Sequence, residues 1–167
     1  MAFAEEVFNP NGVTRNATNP FGDASELALY KFEDNANDAE GNYNGTASNV
    51  TYATGYIDKA AVFNGSSSKI DLPNFMPSGN ASRSVSMWIK TTQTTAATLL
   101  QYGGGNTNLL FNFRINDGGA GGGANTIGVG FYANDFNRPA TGLMDGNWHH
   151  VVTTYDGVNA KIYIYGS

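Results

Sequence analysis

Between Ser82 and Thr91 the chain reads SRSVSMWIKT. Val85, Met87 and Ile89 fall to one side, and Ser86, Trp88 and Lys90 to the other. A period of two belongs to an extended strand, whose successive side chains point to opposite faces. The alternation returns in NLLFNFRIND: Leu109, Phe111, Phe113 and Ile115 face one way, and Asn108, Leu110, Asn112, Arg114 and Asn116 the other. Shorter runs with the same character are ELALYKF, GTASNVTYA, KAAVFNG, SSKIDLP, TLLQYG, TIGVGFYAN, NWHHVVTTYDG and AKIYIYGS. Glycine- and asparagine-rich turns punctuate them, among them Asn64-Gly65 and the hairpin centre Asp156-Gly157. DFNRPATGLMDG reads as a loop, and no segment carries the 3.6-residue period of a long amphipathic helix. Many short strands at close spacing predict an all-β sandwich or jelly roll.

Composition narrows the function classes. With 167 residues the chain is long enough for one domain with a core of its own. The net charge of -5 argues against a general nucleic-acid binder, which needs a basic face to neutralise phosphates. The absence of cysteine removes disulfides, zinc–thiolate sites and thiol chemistry. No apolar run approaches the ~20 residues of a membrane-spanning helix. The opening MAFAEEVF has neither the basic nor the long apolar part of a secretion signal.

Residues 1–25 have no sustained period, and Pro10 and Pro20 interrupt regular pairing. Val7, Phe8 and Phe21 give this stretch apolar groups to bury, so it reads either as a loose terminus or as an extended arm that attaches to a partner. The domain proper then occupies residues 26–167. At its far end the strand KIYIY has almost nothing after it. It is expected either at a sheet edge or beside a segment that completes the sheet.

The order LALYKFEDNANDAEGNYNGTA, DKAAVFNGSSSKIDLP, SVSMWIKT, DGNWHHVVTTYDG, KIYIYGS resembles the LamG-like jelly-roll family of concanavalin A-like lectin/glucanase sandwiches. The resemblance covers roughly residues 26–167. It implies two antiparallel sheets packed face to face, often with a concave face and rim loops that bind sugar. Members are extracellular adhesion modules, accessory modules of polysaccharide-degrading enzymes, and bacteriophage virion proteins. This chain departs from the pattern at Tyr165, where the family often has Asp or Asn before glycine. It also lacks the closing strands that usually follow, which predicts a sandwich incomplete at its C-terminal end.

Both histidines, His149 and His150, lie in GLMDGNWHHVVTTYDG beside Trp148. Adjacent strand residues point to opposite faces, so the two cannot chelate one ion. No serine or cysteine stands in register with a base and an orienting acid. The expectation is therefore a framework role: Trp148 packs, one imidazole is hydrogen-bonded inside and the other lies nearer the surface. The paired-acid strand motif E-x-D-x-x-E of glycosidases that the resemblance brings to mind is absent, so no catalytic residue is expected.

Two binding sites remain as expectations. Asp34, Asn35, Asn37 and Asp38 in EDNANDAEGN are short oxygen donors of the kind calcium takes, although the same residues also simply make turns. Tyr102, Asn112, Arg114, Tyr132, Asn134 and Arg138 combine rings and planar polar groups that can border a sugar site on a concave face. The preferred reading is a non-enzymatic bacteriophage decoration or appendage protein. Its arm would contact other virion proteins, it would form a homo-oligomer, and a cell-surface glycan would be its ligand, with no role for nucleic acid or membrane. The alternative is a secreted carbohydrate-binding accessory module of an enzyme or adhesin.

Overall fold

The computed structural model describes residues 26–105, 109–117, 123–131 and 134–166. The attachment arm and the candidate Tyr132 lie outside these residues. The chain divides into two compact units, one ending at Phe75 and the other running from Met76 to Ser167. Every ladder is antiparallel, and no helix occurs among the described residues. The all-β fold class read from alternation is the one observed.

In the first unit β1 (Thr46–Ser48) pairs with β4 (Lys69–Asp71), and β2 (Thr51–Thr54) pairs with β3 (Lys59–Val62). The run GTASNVTYA, expected as one strand, is split in two. Asn49 adopts a positive φ of 53°, a turn conformation that asparagine tolerates and that breaks the extended line. ELALYKF forms no strand; Tyr30 makes one isolated bridge to Asp38. Instead the Asp38 carboxylate, buried here, holds this segment by accepting the Leu29 amide at 3.0 Å and those of Asn42 and Tyr43 at 3.1 and 3.3 Å. The Tyr30 phenol donates to the Tyr43 carbonyl at 2.6 Å, and burial, with the Asp38 charge second, pushes its pKa up to about 12.

The second unit has two sheets. One has the order β11-β10-β5, built from β5 (Arg83–Lys90), β10 (Trp148–Tyr155) and β11 (Ala160–Gly166). The other runs β6-β7-β8-β9 through β6 (Ala97–Tyr102), β7 (Phe111–Ile115), β8 (Thr126–Gly130) and β9 (Phe136–Pro139). Their facing sides share one apolar core. Phe111, Phe113 and Ile115 from β7 and Ile127 and Val129 from β8 meet Val151 and Ile162, with Val85, Met87 and Ile89 packed against them. The sides that the period of two grouped in β5 and β7 are thus separated by the fold, the apolar one of each facing the core. Leu109, grouped with the inner set, stands outside β7 and is exposed. The stretch expected as a loop contains β9, which ends in Pro139. Proline is tolerated there because β9 is the outer strand of its sheet.

Candidate functional site

β10 settles the placement of the two histidines. His149 pairs with Ile89 and shares the inner side, while His150 pairs with Trp88 and shares the outer side. His149 Nε2 lies 2.9 Å from Asp145 Oδ1. That hydrogen bond first, then those from the Asn147 backbone and side chain, lower the Asp145 carboxyl to about 2. His150 Nε2 lies 2.7 Å from the Ser86 hydroxyl, a contact across 64 residues that local spacing could not reveal. This pair resembles a nucleophile and its base, but the nearby carboxylate that would orient an imidazole bonds the other histidine on the opposite face. The neighbours of His150 are rings: Trp88 at 5.1 Å and Tyr165 at 6.1 Å between centroids, in a stack crossing all three strands.

The outer face of the four-stranded sheet is polar. Asn112 and Arg114 alternate with the buried phenylalanines of β7, opposite Gly130 and Gly128 of β8. Arg114 is only 8% exposed, with Nη1 2.7 Å from Asp117 and Nη2 2.7 Å from Asp135. Its guanidinium lies along Gly130, where an added Cβ would come within 3.3 Å of it. A Cβ on Gly128 would fall 1.8 Å from the Asn137 carboxamide. The two glycines make room for polar side chains laid flat on the sheet. Arg114 is therefore engaged with two acids of its own chain.

The other sugar-site candidates are scattered. Tyr102 stacks on Phe111 at 5.0 Å on the core side, and its hydroxyl accepts from Arg83 at 3.2 Å. Burial raises its pKa, opposed by that hydrogen bond and the Arg83 charge. Arg138 reaches the other sheet of its unit, donating from Nη1 to the Ile162 carbonyl at 3.0 Å. The calcium candidates also have partners within the protein. The Asp38 carboxylate is taken by three backbone amides, Asp34 pairs with Lys59, and the Asn35 side-chain oxygen accepts the Asn37 amide at 2.8 Å. Among the described residues no three His, Cys, Asp or Glu side chains converge as metal ligands. Asp34, Asn35 and Asp38 are thus engaged in contacts within the protein, in keeping with the turn-making role of Asp and Asn.

Among the described candidates, Asn134 belongs to a concavity. It lines a cleft of about 480 Å³ in the second unit with Asn80, Phe131, Phe136, Tyr155, Gly157, Val158, Asn159 and Ala160. That volume lies in the ~300–1,000 Å³ range of small-ligand sites. Phe131 and Tyr155 pack at 4.6 Å, and Arg83 lies 5.3 Å from the Tyr155 ring centre. The Tyr155 hydroxyl donates to the Gly157 carbonyl at 2.8 Å. The Asp156–Asn159 turn forms one lip: Asp156 Oδ1 accepts the amides of Val158 and Asn159 at 2.8 and 2.7 Å, which lowers its pKa. Gly157 has φ +99°, and an added Cβ would sit 2.8 Å from the Asn80 carbonyl, so a side chain here would be strained and would push the turn and Asn80 apart. The hairpin was legible in sequence. The role of Asn80 was not, because it meets Tyr155 across 75 residues.

Comparison with curated proteins and with solved structures produced no match. The family model of the concanavalin A-like lectin/glucanases superfamily matches residues 64–167. This match covers well over half of the sequence and takes in both sheets of the second unit, so the chain belongs to the concanavalin A-like lectin/glucanases superfamily.

Proposed function

We propose that the protein is a non-enzymatic glycan-binding module and that the cleft around Asn80, Asn134 and Asn159 is its sugar site. The observation that carries this reading is the combination of rings and carboxamides at one opening: Phe131, Phe136 and Tyr155 beside three asparagines. Pyranose rings present apolar C–H faces and a rim of hydroxyls. Aromatic walls suit the former, and carboxamides, each with donors and acceptors, suit the latter. Membership of a lectin/glucanase superfamily favours a carbohydrate as ligand. A binding role without turnover is supported by the separation of His149–Asp145 from His150–Ser86 and by the neutralisation of Asp117 and Asp135 by Arg114.

The full chain applied to a glycan array should give a restricted set of hits. Phe136 is 43% exposed, so Phe136→Ala should keep the melting temperature and weaken the best hit about tenfold, the loss of ~1.4 kcal/mol. A folded sample with no hits, or a Phe136→Ala variant that binds unchanged, would refute the reading. The wider setting we propose is the surface of a bacteriophage particle. It rests on the cysteine-free, Gly-rich composition and on the apolar residues Val7, Phe8 and Phe21 in the first 25 residues. Deletion of residues 1–25 should abolish incorporation into particles, and normal incorporation would sink that setting.

A further inference from the structure

The ligand class can be narrowed from what the cleft lacks. None of its nine lining residues is Asp, Glu, Lys, Arg or His. Arg83, 5.3 Å from the Tyr155 ring centre, has its donors engaged. Nε donates to Ala81 O at 2.9 Å, Nη1 to Pro77 O at 2.9 Å and to Tyr102 at 3.2 Å, and Nη2 to Gly79 O. At the lip the Asp156 carboxylate is held ionised by two backbone amides. Lys161 already acts on that lip carboxylate, and an acidic sugar would find no cation among the lining residues, in a protein whose net charge is -5. The uncharged lining favours a neutral ligand.

The walls add a second constraint. Val158, 83% exposed at the tip of the lip, and Ala160 set an aliphatic surface beside the asparagines. A plain hexose presents hydroxyls all round its rim and would strip water from them against that surface without a partner. An acetamido group presents a methyl to Val158 and Ala160 and an amide N–H and C=O to the carboxamides of Asn80, Asn134 and Asn159. We infer that the cleft selects a neutral N-acetylhexosamine, with Val158 and Ala160 taking the acetyl methyl and the asparagines its amide. This inference rests on the glycan-binding reading above and deepens it.

The test titrates the full chain, by calorimetry or by NMR, with the methyl glycosides of N-acetylglucosamine, N-acetylgalactosamine, glucose, galactose and glucuronate. One N-acetylhexosamine should bind at least tenfold more tightly than its parent hexose, within the ~10–200-fold that a small apolar group can discriminate. Glucuronate should bind no better than glucose at low salt. Equal binding of the N-acetyl sugar and its parent, or tighter binding of glucuronate, overturns the inference and leaves the glycan-binding reading standing. A folded sample that binds none of the sugars, and no glycan on an array, overturns both. Val158→Ser alters an exposed tip residue and should leave the fold intact while reducing the preference to about threefold or less. An unchanged preference in that variant removes Val158 from the acetyl wall and overturns the assignment.

Discussion

Arg114 stands on the polar side of β7, yet only 8% of it is exposed, and both terminal nitrogens are bound to carboxylates. Such a cluster is costly to dismantle from one side, because removing the cation takes from two acids the counter-charge they share. Arg114→Ala should therefore lower the unfolding free energy by about 3 kcal/mol, measured by urea titration. The glycines opposite are part of the same device. Gly128 and Gly130 leave the sheet surface flat enough for a guanidinium and a carboxamide to lie on it. In sequence this region looked like a set of ligand groups. Only the long-range approach of Asp135, 21 residues away, makes it an internal ion cluster.

Among the elements, the strands with the strongest alternation were the ones read most securely. β5 and β7 each have a face of large apolar side chains, and burial of that face fixes register as well as existence. ELALYKF failed for the opposite reason. Its composition suits a strand, but the Asp38 carboxylate takes backbone amides of its neighbourhood, and only one bridge forms. β11 is an outer strand among the described residues, one of the two placements that its sequence had left open. Arg138 engages it by donating to the Ile162 carbonyl. Loss of that bond should destabilise β11 by about 1 kcal/mol. In an Arg138→Ala variant, hydrogen exchange should speed up in β11 amides and stay unchanged in β7, and a freer edge should increase self-association in sedimentation runs.

For the molecule as a whole, acid is the revealing stress. Asp145 and Asp156 both titrate below their ordinary value of 3.8 in the folded chain, Asp145 at about 2, because each accepts hydrogen bonds as a carboxylate. A depressed folded-state pKa stabilises the fold above the unfolded value, and that contribution disappears as pH falls through the folded one. Stability should accordingly decline between pH 3.8 and about 2. Asp145→Asn should flatten that decline, read as urea midpoints across the window.

The sequence by itself determined the all-β class, the inner faces of the main strands, the closing hairpin and the opposite orientation of the two histidines. These follow from a two-residue period and local turn chemistry, which act over a few residues. The tertiary structure alone decided that Ser86 meets His150, that Asp135 reaches Arg114, and that Asn80 meets Tyr155 and the lip at Gly157. Each of these depends on strands distant in the chain being brought together by burial of a shared core. Burial responds to apolar area and leaves no local mark on the polar residues it makes neighbours.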